Sequence, residues 1–212
     1  MRRGRFITFE GGEAAGKSTQ IEHLASALRD AGETVVLTRE PGGTPGAEAI
    51  RHALLGGAVR PLGPLAEAAC FAAARADNVD QIILPALRSG RHVISDRFGD
   101  SSRAYQRAAG EGTVERLQRI AIGAAVPDLT IIVDVPPDVA LSRLRSRGNG
   151  TDRFEGEKAE EFEARRDRFL QIARDEPRRC AVVDGARSMD DVRDEIAALV
   201  SERLGLSLAD AR

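Results

Sequence analysis

The sequence predicts an α/β fold, a five-stranded parallel sheet with helices on both faces, and three observations carry that reading. Short apolar runs alternate with long segments of helical spacing. The runs are nearly continuous in apolar residues, as strands covered on both faces are. A glycine-rich turn separates the first run from the first helical segment, and in such sheets ligands bind at the carboxyl ends of the strands. The five strands are expected at 5–9, 34–38, 92–95, 130–135 and 181–184. No repeat, linker or low-complexity tract interrupts the pattern, so 1–212 is expected to form one domain.

Length and charge narrow the partners. A chain of 212 residues can bury about 70% of its unfolded surface without disulfide staples. A net charge of −2 argues against a nucleic-acid-binding surface and for a small anionic ligand. Cys70 and Cys180 form neither a disulfide framework nor a metal spacing, which suits a reducing compartment. The basic start Met1-Arg2-Arg3-Gly4-Arg5 precedes an apolar run too short for a signal peptide or a membrane span. A cytoplasmic protein with no membrane segment is expected.

The first strand leads into Gly11-Gly12-Glu13-Ala14-Ala15-Gly16-Lys17-Ser18, which fits G-x-x-x-x-G-K-[ST]. Glycines let backbone N–H groups close around phosphate oxygens, the lysine carries charge to the β- and γ-phosphates, and the hydroxyl suits Mg²⁺. A chance glycine-rich turn is the competing reading. Composition argues against it, because Lys17 and Lys158 are the only lysines among 31 basic residues, and one of them stands where a point-like ammonium is needed. Thr19 follows in the first helical turn, and Ile21, Leu24, Ala25 and Leu28 give that helix a core face as far as Asp30, with Gly32 as its C-terminal stop.

The second strand ends in the turn-forming Arg39-Glu40-Pro41-Gly42-Gly43-Thr44, followed by a helix with Arg51. The alanine-rich segment 65–87 reads as one helix with Pro85 near its end, and Phe71, Arg75 and Asn78 share a face. The third strand ends in Asp96-Arg97-Phe98. An acid there can be a second magnesium anchor or a cap for the next helix, and the presence of Lys17 and Ser18 favours the anchor. A helix is expected from Thr113 to about Ala125, before the fourth strand. Arg143, Arg145, Arg147 and Arg153 then flank Gly148-Asn149-Gly150, the pattern of a mobile lid at about 143–157 that closes on phosphates. Each of these arginines could equally be a solvated helix-end cation. After the last strand, Ser188 caps a helix whose apolar stripe is Met189, Val192, Ile196, Leu199 and Leu204.

Arg39-Glu40-Pro41-Gly42-Gly43-Thr44, Phe71-x-x-x-Arg75 and Asp96-Arg97-Phe98-x-x-Ser101-x-x-Ala104-Tyr105-Gln106, in this order behind the phosphate loop, resemble the thymidylate kinase family over nearly the whole chain. The resemblance implies a nucleoside-monophosphate-kinase fold, a homodimer, and phosphoryl transfer from ATP to dTMP with Mg²⁺ on Ser18 and Asp96. It implies that residues 11–19 (Gly11, Gly12, Glu13, Ala14, Ala15, Gly16, Lys17, Ser18 and Thr19) hold ATP. It also implies that Phe71 stacks on thymine while Arg75 and Ser102 meet its edges, that Tyr105 lies against the sugar, and that Glu13 accepts the 3′-OH. Arg51 and Arg97 would hold the monophosphate, Pro41 and Gln106 would line the pocket, and the Glu40–Pro41 bond would be cis. Relatives carry a catalytic arginine either in the phosphate loop, where this chain has Ala14, or in the lid. Ala14 cannot act so, which leaves Arg147 and Arg153, the latter favoured because it follows the glycine hinge. Phe98 departs from the aromatic or histidine of relatives only in lacking a hydrogen-bond donor.

A kinase for another small acceptor, such as GMP, UMP or shikimate, is the first rival, but it leaves the Tyr105 and Phe71 to Arg75 matches unexplained, and two rival classes remain beside it. Asp96-Arg97-Phe98-Gly99 fits the D-x-x-G of regulatory GTPases, but no Asn-Lys-x-Asp occurs: the asparagines are Asn78 and Asn149, neither followed by lysine. A nucleotide sensor without catalysis would have no need of lid arginines aimed at a transition state.

Overall fold

The computed structural model describes residues 3–147 and 159–208. The expected strands form, each shifted by about one residue: β1 (Phe6–Glu10), β2 (Val35–Arg39), β3 (His92–Asp96), β4 (Leu129–Asp134) and β5 (Cys180–Asp184). The ladder sets these ends, which hydrophobicity alone does not. Leu129 is drawn in by pairing with Ile7, and Glu10 is retained opposite Ile132 although it is a carboxylate. The sheet is parallel throughout, in the order β2-β3-β1-β4-β5.

Between the strands lie α1 (Lys17–Asp30), α2 (Pro45–Leu55), α3 (Pro64–Asn78), α4 (Leu84–Arg88), α5 (Gly99–Tyr105), α6 (Glu111–Ile122), α7 (Pro137–Arg147), α8 (Ala159–Asp175) and α9 (Met189–Leu204). The segment expected as one helix at 65–87 is instead α3 and α4 joined by a π-turn at Val79–Ile83. Pro85 has no N–H to give and its ring crowds the carbonyl four residues back, so the preceding turn widens. The helix expected at 113–125 starts earlier and stops at Ile122, where Gly123 turns to φ 52°. Ser188 caps α9 as expected, its hydroxyl accepting from the Asp191 N–H at 3.2 Å. Met189, counted in the apolar stripe, is 49% exposed at the first position of that helix, and Val200 is buried there with Val192, Ile196 and Leu204.

Alternation along β1 explains the two cores. Ile7 and Phe9 pack with Ile21, Leu24 and Leu28 of α1 and with Val192, Ile196 and Val200 of α9. Phe6 packs on the opposite face with Val79, Ile83, Leu87 and Phe98. A third cluster, Ala104, Ile132, Phe169 and Ile172, seats α5 and α8 on the sheet. All five residues of β1 are buried, as a central parallel strand requires. Among the described residues no helix is long and apolar enough to cross a membrane.

Candidate active site

Parallel register gathers the site. Asp96 at the end of β3 is level with Phe9 of β1 and with Arg39 of β2, so the loops after all three strands leave the sheet at one edge. The loop after β1 makes two unusual turns. Gly11 has φ 129°, and a Cβ there would stand 2.3 Å from the Val133 carbonyl oxygen, which only glycine avoids. Ala14 sits at φ 54°, a left-handed conformation that an alanine adopts only when its surroundings impose it. Gly16 then caps α1 without a side-chain hydrogen bond, leaving the first N–H groups of a 14-residue helix facing the loop. Thr19 is half-buried in that first turn.

Lys17 is 7% exposed, and its Nζ donates to the carbonyls of Gly12 at 2.6 Å and Gly11 at 3.2 Å. Burial, and after it the like charge of Arg97, lowers its ammonium to about 8. The Ser18 hydroxyl donates to Asp96 Oδ2 at 3.3 Å. Asp96 Oδ1 is buried with no hydrogen-bond partner among the described residues. A hydroxyl beside a carboxylate oxygen that lacks a donor is a donor set suited to a hard cation such as Mg²⁺.

Beside the loop stands a charged cluster built from several elements. Arg97, at φ 68°, donates through Nη1 to the Gly11 carbonyl at 3.0 Å and the Ser101 hydroxyl at 3.2 Å, and through Nη2 to Glu13 Oε1 at 3.0 Å. The Tyr105 hydroxyl donates to the same carboxylate at 2.8 Å, and the Arg97 guanidinium lies over the Tyr105 ring, 5.2 Å from its centroid. Burial alone would raise the Glu13 carboxyl, but the positive charges of Arg97 and Lys17 hold it below its usual range. Arg51 reaches back from α2 to the Pro41 carbonyl at 2.7 Å, and the Glu40–Pro41 bond is cis. Burial and then the positive charge of Arg39 lower the pKa of Arg51, so guanidiniums crowd where an anion would relieve them.

Arg75 and Ser102 are buried, at 2% and 3% exposure, and they meet. Arg75 donates to Glu40 Oε2 at 2.7 Å, the Ser102 hydroxyl at 3.0 Å and the Phe98 carbonyl at 3.0 Å. Phe71, one turn earlier on α3, is half-buried. Asn78, expected on the same face, is fully buried and accepts from the Thr38 hydroxyl at 2.9 Å. Gln106 follows α5 and is half-buried, its N–H bonded to the Ser102 carbonyl at 3.0 Å. Phe98 packs edge-on to Phe6, with ring centroids 4.9 Å apart. Of the proposed lid, Arg143 is held between the Gly185 carbonyl at 2.9 Å and the Ala14 carbonyl at 3.5 Å, where it braces the phosphate loop. Arg153 lies outside the described residues, and so does the side chain of Arg147.

Several site residues escaped the sequence reading. Glu10, fully buried, accepts from the N–H groups of Phe98 at 2.8 Å and Ser101 at 3.0 Å and from the Ser101 hydroxyl at 2.6 Å. It therefore caps α5 from another strand, and Ser101 passes the connection to Arg97. Burial, then the charge of Asp100, pushes its carboxyl up to about 7. The one signal in the sequence is that Glu10 ends an apolar strand as Asp96 does, and that place does not say which N–H groups it meets. Arg166 forks onto Asp134 with bonds of 2.8 and 2.9 Å across 32 residues, and no local signal announces that pair. Arg165, next to it, stacks over Tyr105.

Comparison with known proteins agrees with this geometry. The family model described as thymidylate kinase matches residues 9–196. A thymidylate kinase of Bradyrhizobium sp. (strain ORS 278) is 50% identical over 214 aligned positions, covering 99% of this chain and 95% of that protein. That of Bradyrhizobium diazoefficiens is 49% identical over 207, covering 95% and 91%. The crystal structure of thymidylate kinase from Ehrlichia chaffeensis superposes with a TM-score of 0.75 at 32% identity, over 93% of this chain and 99% of that one. With the matched span running from β1 into α9, the chain belongs to the thymidylate kinase family.

Proposed function

We propose that the protein transfers the γ-phosphoryl group of ATP to dTMP, giving dTDP and ADP. The observation that carries this reading is the place of Glu13, a residue of the phosphate loop whose carboxylate is bonded to Arg97 and Tyr105 of the neighbouring cluster. A donor triphosphate in the loop and an acceptor against that cluster would abut. On this reading the loop N–H groups and Lys17 hold the β- and γ-phosphates, while Arg51 and Arg97 orient the acceptor phosphate in line. A phosphate monoester is largely dianionic at neutral pH, so its oxygen attacks without a protein base. Mg²⁺ on Ser18 and Asp96 would supply positive charge to the phosphate oxygens.

Phe71 would lie on the thymine ring, with Arg75 and Ser102 at its polar edges and Pro41 and Gln106 closing the pocket. The Tyr105 ring would occupy the space of a ribose 2′-hydroxyl, and Glu13 would accept the 3′-OH. A lid at about 143–157 would bring a guanidinium to the transferring group, from Arg153 in preference to Arg147. The exposed apolar side chains of Leu62, Leu65, Ile120 and Val126 suit a homodimer, for which light scattering should give twice the 22.7 kDa chain mass. The two free cysteines suit a cytoplasmic setting. The deciding experiment is an ADP-release assay with ATP, Mg²⁺ and a panel of monophosphates. Turnover should be fastest with dTMP, and a preference for GMP or UMP would sink the assignment.

A further inference from the structure

Tyr105 is held from more directions than a sugar-contacting ring needs if its neighbours serve only to fill space. Its hydroxyl donates to Glu13, Phe169 meets it edge-on with centroids 6.1 Å apart, and two guanidiniums lie over its ring. One belongs to Arg97, at 5.2 Å, from the loop between β3 and α5. The other belongs to Arg165, at 5.0 Å, from α8. Arg165 is itself seated over the Phe162 ring at 4.8 Å, and Phe162 is 5% exposed, so the guanidinium rests on a fixed platform. Gly11, Gly12, Arg165 and Arg166 line one small cavity of about 20 Å³, which places Arg165 at the wall of the phosphate loop. Its neighbour Arg166 anchors this part of α8 to β4 through the fork onto Asp134.

We propose that Arg165 is a positioning residue for the acceptor pocket: its guanidinium, seated on Phe162, holds the Tyr105 ring in place and so sets how strongly the enzyme rejects an acceptor bearing a 2′-hydroxyl. The inference rests on the reading of Tyr105 as the residue against the sugar. A ring that excludes an oxygen by its bulk excludes it only while it cannot swing aside, so selectivity depends on the contacts that hold the ring as much as on the ring itself. Glu13 fixes the hydroxyl end, and the stacked cations fix the plane. A cation on an aromatic face is attracted by the ring quadrupole, and more strongly where water is displaced. The positive charge of Arg165 also reaches Glu13, so the same side chain supports both groups proposed to meet the sugar.

The test compares kcat/KM for dTMP with kcat/KM for ribothymidine monophosphate in Arg165→Ala, Arg165→Lys, Tyr105→Ala and, as a charge control, Arg174→Ala. Arg174 is an exposed residue of α8 bonded to Gln171, away from the pocket. Arg165→Ala should lower the preference for dTMP about tenfold, mainly through a lower KM for the ribonucleotide, with the KM for ATP unchanged. Arg165→Lys keeps a cation over the ring and should restore most of the preference. Arg174→Ala should match the parent. A preference unchanged in Arg165→Ala but lost in Tyr105→Ala overturns the role of Arg165 and leaves the gate standing. A preference unchanged in both removes the gate and the proposal with it.

Discussion

In the phosphate loop the groups that face a ligand are largely backbone N–H groups of consecutive residues, shaped by Gly11, Ala14 and Gly16 at positive φ. In the proposed acceptor pocket they are side chains from the loops after β1, β2 and β3 and from α2, α3, α5 and α8, tied together by ion pairs, hydrogen bonds and cation–ring contacts. On the proposed function, the donor half is preorganised by backbone conformation and the acceptor half by a polar network. The difference teaches where damage should appear. Removing a side chain from the loop removes charge from the ligand and leaves the fold alone, whereas removing one from the network leaves a buried partner unsatisfied.

The largest expected effect therefore belongs to Lys17→Ala. Turnover should fall by about 10³ or more while the melting temperature stays at or above that of the parent, because the lost ammonium is buried and its hydrogen bonds among the described residues go to loop carbonyls. Thermal melts and the ADP-release assay on one preparation check both halves of the statement. A folded variant with normal turnover would refute the loop assignment.

Next come the arginines of the proposed lid. Arg153→Ala should lower kcat by about 10³ with little change in either KM, the signature of a contact made only in the transition state. A KM effect without a kcat effect would move Arg153 to ATP binding. The same measurement on Arg147→Ala would then decide whether the catalytic role belongs there.

The contrast between the halves also explains what the sequence could disclose. Residues 11–18 are contiguous, so their function is written in one string, and even the alanine at 14 was informative. The strands were legible to within a residue because burial on both faces makes them continuous apolar runs, but their ends obey pairing, as with Leu129 and Ile7. The acceptor network was legible only where a known motif recorded it. Glu40 and Arg75 stand 35 residues apart, and Asp134 and Arg166 stand 32 apart, with no periodicity joining them. Glu10 was passed over because a single carboxylate after an apolar run reads as the end of a strand, and only the fold shows that two N–H groups of another element point at it.

A third test asks whether the pocket network bears on stability. Arg75→Ala would strand the buried Glu40 carboxylate, whose pKa burial already raises against the opposing charge of Arg75. Breaking such a pair costs about 3–5 kcal/mol, which for a chain of this length is a fall of about 10 °C in melting temperature. The double variant Glu40→Leu with Arg75→Met should recover most of that loss yet bind dTMP poorly, separating the two roles. A single variant that melts like the parent would mean that the pair is open to water.

The smallest effect is expected at Glu10, where the two halves join: it ends the strand that feeds the phosphate loop and caps the helix that carries Ser101, Ser102 and Tyr105. Its folded pKa is raised from 4.5 to about 7, first by burial and then by Asp100. Between those values the folded protein binds more protons than the unfolded chain, so the contribution of Glu10 to stability is complete below about 4.5 and is lost as pH rises through about 7. From pH 5 to 7.5 the loss is about 2 kcal/mol, or about 6 °C. Glu40, also raised by burial, slopes the same way, so the parent curve alone does not isolate Glu10. The comparison with Glu10→Gln does: its amide oxygen can still accept from the two N–H groups but cannot ionise, so its melting temperature should fall less steeply over that interval. Parallel curves for the two proteins would show that the carboxylate keeps its charge in the folded state, held by the Phe98 and Ser101 donors, and that the join between the two halves is indifferent to pH.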